Sequence, residues 1–156
     1  MLRSQSAIIR PWQQTDVSVV YELAKANMPG AWTRRNFESC FKPDYSCWII
    51  SEGDMGLANQ VMGFVVVLAQ IGECQLLNIC IRGNARRCGY GKRLIQHVVS
   101  FSRQQKLNRV FLEVRASNQV AIDFYLQSDF KQVGARKAYY KTEDGREDAL
   151  LFSLSL

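Results

Sequence analysis

The chain has 156 residues, of which 47% are hydrophobic and 22% are charged, and its formal net charge is +6. This length and composition are typical of one folded domain, expected over residues 1–156, and they exclude an intrinsically disordered protein. No apolar stretch approaches the roughly 20 residues of a membrane helix, and residues 1–6 lack the apolar core of a signal peptide, so a cytoplasmic location is expected.

The first half of the chain predicts a strand, two helices and then three strands. Residues 7–11 form the first candidate strand. The helix that follows would end at Pro29-Gly30, and a second, short helix would begin at a Thr33 cap. Three segments rich in Val, Ile and Trp then predict an antiparallel meander, namely Ser46–Glu52, Val61–Ala69 and Glu73–Ile81.

The second half predicts two helices and three strands. A long helix over residues 90–105 precedes a strand at Arg109–Arg115, and another helix follows with Ser117 as its cap. The last two strands are Lys131–Tyr140 and Asp148–Ser155. The resulting order, βααβββαβαββ, predicts an α+β domain with a mixed seven-stranded sheet flanked by helices. A parallel pair is expected around the long helix, because strand–helix–strand connections normally join parallel neighbours.

The run Arg86–Lys92 is the most informative segment, because it joins the fourth predicted strand to the long helix. Gly89 and Gly91 permit close backbone approach to a diphosphate, and the first N–H groups of a helix lack intrahelical partners. Residues 82–115 contain nine Lys or Arg and a single acid, Glu113, so positive charge is concentrated around the turn. These features predict a polyanionic ligand or an RNA-rich partner, although a tight connection that binds nothing gives the same pattern.

The five cysteines do not indicate a metal site or a disulfide framework. Their number is odd, the chain has no C-x-x-C pair, and His97 is the single histidine. Four of them lie in apolar patterns and are expected to pack as small hydrophobic residues: Cys40, Cys47, Cys74 and Cys80. Cys88 lies in the basic glycine turn, where an inert thiol is still the expectation, and His97 receives no role.

The glycine turn belongs to a wider set of motifs. Arg86-x-x-Gly89-x-Gly91 after the fourth strand, followed by Leu112–Asn118 and Ala121-x-x-x-Tyr125, resembles the GNAT acyltransferases over nearly the whole chain. Together with Tyr139-Tyr140 and Glu147–Ala149, these motifs also resemble the bacterial RimI group, the ribosomal-protein-alanine N-acetyltransferases. The resemblance therefore implies an acetyl-CoA-dependent N-acetyltransferase with a GNAT fold.

The resemblance also implies roles for individual residues. Glu113 would be the general base and Tyr125 the general acid of a direct transfer in a ternary complex. Acetyl-CoA, the cosubstrate, would be held by Ile79, Cys80, Ile81, Arg86, Arg87, Cys88, Gly89, Tyr90, Gly91, Lys92 and Asn118. Trp32, Tyr139 and Tyr140 can wall an acceptor groove for the N-terminal alanine of a small-subunit ribosomal protein. Neither a metal nor a membrane is implied.

Each role has a purely structural alternative. Glu113 can instead pair with Arg115 or another nearby base, and Tyr125 and the three groove aromatics can be core residues. The chain also departs from the family pattern at Cys88, where a basic residue is common, and at two further positions, Arg82 and Lys141. Acetylation of a small amine, a lysine or an antibiotic is the alternative activity. A third alternative is a non-catalytic module that binds acyl-CoA or RNA. Sequence-specific binding of a nucleic acid is not expected for this chain.

Overall fold

The computed structural model describes residues 6–28, 32–53 and 60–156. The chain divides into two compact units, residues 1–69 with 76–98 and residues 70–75 with 99–156. Within the described ranges, no helix combines the length and the apolar character needed to cross a membrane. The predicted helix stop at Pro29-Gly30 lies outside the described residues.

The strands and helices follow the predicted order, and two short 3-10 turns, Gln14–Asp16 and Gly83–Ala85, are inserted between them. Their bounds are β1 (Ile8–Pro11), α1 (Val17–Asn27), α2 (Arg34–Glu38), β2 (Tyr45–Ser51), β3 (Val61–Gln70), β4 (Glu73–Ile81), α3 (Tyr90–Gln104), β5 (Arg109–Arg115), α4 (Gln119–Gln127), β6 (Lys131–Thr142) and β7 (Gly145–Ser155).

The seven strands form one mixed sheet in the order β1-β2-β3-β4-β5-β7-β6. Parallel pairing joins β4 to β5, with Glu73–Gln75 opposite Arg109–Phe111. Antiparallel registers join β1 to β2, β2 to β3, β5 to β7 and β6 to β7. The predicted α+β class, the seven-stranded sheet and the parallel pair around the long helix are confirmed.

The core of the first unit packs α1 and α2 on the sheet. Val20 of α1, Phe37 of α2 and Phe64 of β3 are fully buried. The Phe37 ring stands edge-on to Phe64, with 5.5 Å between centroids, and lies 4.9 Å from the ring of Trp32. Helix α2 is short: the Thr33 hydroxyl caps its N-terminus by accepting the Asn36 N–H, as predicted, and the helix ends at Glu38.

The second unit contains β5, β7 and β6 with α4. Val110, Leu112 and Val114 alternate into the core along β5, which leaves Glu113 on the opposite face of that strand. The predicted Ser117 cap of α4 is wrong: the Asn118 Oδ1 atom accepts the Ala121 N–H at 3.2 Å. Both residue types are good caps, so the sequence did not distinguish adjacent positions.

A left-handed residue follows the C-terminal end of α4. Asp129 has a φ of +68°, the left-handed conformation that Asp tolerates better than most residues, and it leads the chain into the buried Phe130. The N–H groups of Ser128 and Phe130 both donate to the Tyr125 carbonyl, at 3.1 Å in each case. This turn fixes where Tyr125 lies against β7.

Gly63 marks the closest approach of β3 to β4. A Cβ atom at this position would lie 2.5 Å from the Cys80 carbonyl oxygen, which is backbone and cannot rotate away. The missing side chain therefore lets β3 support the end of β4, where three of the proposed cofactor-binding residues lie.

We expect Gly63→Ala to destabilise the protein by about 1–3 kcal/mol, because the added methyl group forces the β4 backbone to move. Thermal unfolding followed by circular dichroism measures the effect. Gly134→Ala is the matched control: its Cβ would lie 3.4 Å from the end of the Leu151 side chain, an ordinary contact. Equal melting temperatures for the two variants would contradict this account of Gly63.

Candidate active site

The glycine turn of the first unit connects β4 to α3. After the 3-10 turn, Arg87 and Gly89 both adopt left-handed conformations, with φ values of +60° and +91°. Left-handed residues in a tight turn direct neighbouring backbone N–H groups into an anion-binding concavity. The first N–H groups of α3 begin at the next residue, Tyr90, so the concavity is continuous with a helix N-terminus.

Four of the cations around this turn fall into two pairs, and a fifth, Arg86, donates its Nε–H to the Ile81 carbonyl at 3.5 Å. The Arg82 guanidinium donates to the Val61 carbonyl at 2.9 Å, and that of Arg93 donates to the Ala7 carbonyl at 2.6 Å. Arg87 and Lys92 are exposed and make no hydrogen bond or ion pair within the described part of the chain. The first pair therefore anchors the fold, whereas the second pair is available to a polyanion.

Two residues of the turn have side chains that make hydrogen bonds within the protein. The Tyr90 ring is buried, and its hydroxyl donates to the Glu52 carboxylate, so Tyr90 can offer a ligand only its backbone N–H. The half-buried Cys88 thiol donates to the Arg86 carbonyl at 3.5 Å. A cavity of about 170 Å³ adjoins these residues, lined by Glu52, Met62, Arg82, Asn84, Ala85, Cys88 and Tyr90.

Ile79, Cys80 and Ile81 form the end of β4, beyond the register in which that strand pairs with β5. The Cys80 side chain is buried, and burial raises the pKa of its thiol to about 11. The thiol is therefore protonated at neutral pH, and its position in the core is the one predicted. Only the backbone groups of these three residues suit the predicted contact with a pantetheine arm.

In the second unit, Glu113 lies in an ion pair. Its Oε1 atom accepts the Arg136 Nε–H at 2.9 Å, and the Glu113 side chain is only 15% exposed. Arg115, named as a possible partner from the sequence, instead donates to Glu147 at 2.9 Å. The backbone N–H of Ser117 donates to the same Glu147 carboxylate, and these contacts lower the pKa of Glu147.

Tyr125 is both a core residue and a neighbour of these charges. Its ring packs against Phe130 and Phe152, with centroids 5.7 and 6.4 Å away. Burial first, and then the nearby Tyr140, raise the pKa of Tyr125. Its hydroxyl has no hydrogen-bond partner among the residues that the structure describes. The hydroxyl is therefore protonated and available as a donor.

Tyr140 connects the two candidate catalytic residues. The Arg115 guanidinium lies over its ring, 4.4 Å from the centroid. Burial raises the pKa of Tyr140, and the next cause is the negative charge of Glu113. Glu113, Tyr125 and Tyr140 therefore lie within electrostatic reach of one another in the second unit.

A bulge in β6 sets the position of this tyrosine pair. Arg136 pairs with Ala149 and Tyr140 with Glu147, so four steps along β6 match two along β7. Within the bulge, Ala138 has a φ of +52°, and its N–H donates to the Asp148 Oδ1 atom at 2.9 Å. Tyr139, 48% exposed, stands edge-on to Tyr140 with 5.1 Å between ring centroids.

The remaining predicted residues lie in different surroundings. Trp32 belongs to the first unit and packs partly buried against its core, whereas Tyr139 and Tyr140 belong to the second. The Asn118 Oδ1 atom is used by the cap of α4, which leaves the Nδ2 group for a ligand. His97 packs edge-on against Trp48 at 4.7 Å between centroids, and burial lowers its pKa, consistent with a packing role.

Sequence reasoning missed two residues of the second unit. Arg136 lies outside the motifs and Asp148 lies within the Glu147–Ala149 motif, but neither received a role from the sequence, because each acquires its contact through the β6–β7 register. The indication in the sequence was Glu113, the single acid of residues 82–115, which lies between apolar residues and requires a cation; the candidate that the sequence offered was Arg115.

Comparison with known proteins decides the family. The model of the "Acetyltransferase (GNAT) family" matches residues 17–130, most of the chain. The chain belongs to the GNAT acetyltransferase family. This GNAT protein is accordingly an N-acetyltransferase, and the resemblance inferred from its motifs is confirmed.

The relatives of this GNAT enzyme include a protein-modifying enzyme. The [ribosomal protein bS18]-alanine N-acetyltransferase of Escherichia coli K12 is 27% identical over 144 residues, covering 92% of this chain and 94% of the relative. The crystal structure of the ribosomal-protein-S18-alanine N-acetyltransferase from Escherichia coli superimposes with a TM-score of 0.84 at 28% identity, covering 96% of this chain and 93% of that one.

A more distant structure shares the fold. Arabidopsis thaliana NAA60, solved in complex with acetyl-CoA, superimposes with a TM-score of 0.85 at 20% identity. The alignment covers 96% of this chain and 98% of the plant protein. At this identity the likeness establishes the shared fold of the two chains.

We expect Lys92→Ala to raise the KM for acetyl-CoA roughly three- to tenfold, because an exposed cation beside a phosphate contributes about 1 kcal/mol. Arg87→Ala combined with Lys92→Ala should raise it further. The measurement is thiol release at varied acetyl-CoA. Arg103→Ala, which removes an exposed cation from the last turn of the same helix, is the control. Equal KM values for Lys92→Ala and Arg103→Ala would show that general charge, not the turn, attracts the cosubstrate.

Proposed function

We propose that this enzyme transfers the acetyl group of acetyl-CoA to the N-terminal α-amine of a protein that begins with alanine. The proposed acceptor is a small-subunit ribosomal protein, as the name of the Escherichia coli relative states for that enzyme. Transfer is direct, in a ternary complex. The observation that carries the proposal is the cluster of Glu113, Tyr125 and Tyr140 in the second unit, a water-shielded carboxylate beside two protonated phenols.

Residues of the first unit are proposed to bind acetyl-CoA. The left-handed turn at Arg87 and Gly89 and the N-terminus of α3 present N–H groups to the pyrophosphate, and Arg87 and Lys92 supply positive charge. The backbone of Ile79–Ile81 accepts and donates hydrogen bonds to the pantetheine arm. Gly91, Arg86 and Cys88 take part through the backbone of the same turn.

The acceptor must present a neutral amine, which favours an α-amine. The pKa of such amines is about 7.7–8.0 and that of lysine is about 10.4, so about a tenth of the α-amines but only about 0.04% of the lysines are neutral at pH 7. Glu113 therefore has only a modest task, which is to take the proton that the amine loses as its nitrogen bonds to the acetyl carbon. Glu113 later releases this proton to solvent.

Tyr125 is proposed to stabilise the leaving group. As the carbon–sulfur bond breaks, the thiolate of coenzyme A develops negative charge, and the Tyr125 hydroxyl donates a hydrogen bond to it. Full proton transfer from a phenol of pKa ~10 to a thiolate of pKa ~8.5 is uphill by about 2 kcal/mol, and burial makes Tyr125 a weaker acid still. Hydrogen-bond donation, rather than proton transfer, is its main contribution.

The charges beside the proposed acceptor tyrosines argue against a polyamine. Both carboxylates that face Tyr140 are already paired, Glu113 with Arg136 and Glu147 with Arg115. A polycationic amine would need unpaired acids to replace its hydration. A peptide α-amine, neutral at the moment of reaction, has no such requirement, and the exposed Tyr139 ring offers its backbone an apolar surface.

A ribosomal substrate would place the enzyme in the cytoplasm. The chemistry requires no metal ion, because amine, thioester, base and hydrogen-bond donor account for every step. Residues 1–156 are proposed to act as one functional domain.

We expect Glu113→Gln to lower kcat about 10²- to 10⁴-fold on an alanine-starting ribosomal peptide, because the amine proton loses its acceptor. Tyr125→Phe should lower kcat by about tenfold, the loss of one hydrogen bond to a charged group. Mass spectrometry and thiol release measure turnover, and the N-terminally blocked peptide is the control substrate. An unchanged rate in the variant that combines Glu113→Gln with Tyr125→Phe would contradict the mechanism, and so would transfer to the blocked peptide.

The raised pKa of Tyr125 predicts a specific pH profile. A phenol whose pKa lies above its ordinary value of ~10 keeps its proton throughout the usual assay range, so its donor function persists as pH rises. We expect kcat of the wild-type enzyme to show no loss up to about pH 9.5. A basic limb that is present in the wild type and absent in Tyr125→Phe would overturn this assignment.

A further inference from the structure

We propose that Arg136 is a positioning residue that orients the Glu113 carboxylate for its task and couples it to the acceptor surface at Tyr139. The proposal rests on the role of Glu113 in the proposed function and deepens it. It assigns a part in the reaction to a residue outside the motifs that identify the family in this sequence, and it derives from two contacts of one guanidinium group and from the strand register that sets them.

The first contact fixes the carboxylate. Arg136 Nε donates to Glu113 Oε1 at 2.9 Å, a single hydrogen bond that holds one oxygen and leaves Oε2 available to the amine. Glu113 is 15% exposed and Arg136 is 56% exposed. A carboxylate so shielded needs a paired cation to remain charged at low cost, and the cation here approaches from the solvent side.

Strand register keeps this ion pair separate from the neighbouring one. Ala149 of β7 pairs with Arg115 on one side and Arg136 on the other, so the two arginines lie on one face of the sheet. Glu113 lies two residues from Arg115 along β5, and Glu147 lies two residues from Ala149 along β7, so both acids lie on the same face as the arginines. Each arginine reaches a different acid along a diagonal, Arg136 to Glu113 and Arg115 to Glu147. The pairs are therefore distinct, and the loss of Arg136 cannot be replaced by Arg115 without breaking its own pair.

The second contact links the base to the acceptor surface. The Arg136 guanidinium lies 5.6 Å from the centroid of the exposed Tyr139 ring. The bulge that places Tyr139 here begins directly after Arg136 and is held by the bond from Ala138 to Asp148. A peptide that covers Tyr139 would also cover Arg136 and remove water from the ion pair, which strengthens it. Acceptor binding and alignment of the base are thereby coupled.

The test is the kinetics of Arg136→Ala with the amine that the wild-type enzyme acetylates fastest, whichever amine that is. We expect kcat to fall about 10- to 100-fold, the loss typical of a misaligned catalytic group, with the KM for acetyl-CoA near its wild-type value. Millimolar guanidinium should restore part of the rate in Arg136→Ala and none in Arg136→Ala combined with Glu113→Gln. Lys137→Ala, the neighbouring exposed cation in the same bulge, should behave as wild type.

Two outcomes would overturn the proposal. One is a wild-type kcat in Arg136→Ala. The other is an equal loss from Arg136→Ala in the wild-type and Glu113→Gln backgrounds, because residues that act through one another are not additive. Failure of the alanine-starting peptide as a substrate is a separate result: it would reject the proposed acceptor, while guanidinium rescue with another amine would still support the role of Arg136.

Discussion

The candidate site of the second unit depends on the position of β7 between β5 and β6. Because Ala149 pairs with Arg115 and Arg136 at once, one short residue brings two arginines and their two acids onto a single face. The β6 bulge then adds the tyrosine pair to that face, held by a carboxylate that accepts the N–H of a left-handed Ala138. The charge of Glu113 is compensated there without full exposure to water, which is the condition for a carboxylate to act as a base in a shielded site.

The first unit is proposed to have a different task, the recognition of a highly charged cosubstrate. Its turn combines left-handed backbone at Arg87 and Gly89 with a helix N-terminus, and its cations divide into anchors and free groups. Arg82 is one of the positions at which the chain departs from the family pattern, and its guanidinium donates to the Val61 carbonyl beside β4. This departure from the family pattern therefore serves the fold at the end of β4, while the anion-binding backbone of the turn is unaffected.

Much of this organisation could be predicted from the sequence, for physical reasons that also explain the failures. Alternating and helical apolar patterns predicted all seven strands and four helices, and the glycine turn was recognised because close backbone approach requires particular residues. Contacts across strands could not be predicted in the same way. The partner of Glu113 depends on a bulge produced by one alanine in an uncommon conformation, and Asn118 rather than Ser117 caps α4 although both residue types are suitable. Register and local cap geometry are set by the folded environment.

The most direct test of the account is the position of the acetyl group on a single acceptor. A basic peptide that begins with alanine and carries an internal lysine presents both amines to the enzyme at equal concentration. After limited reaction with acetyl-CoA, tandem mass spectrometry locates the modification. The account predicts acetylation of the alanine α-amine, with the lysine left free. Acetylation of the lysine, or transfer to a polyamine in preference to the peptide, would contradict it.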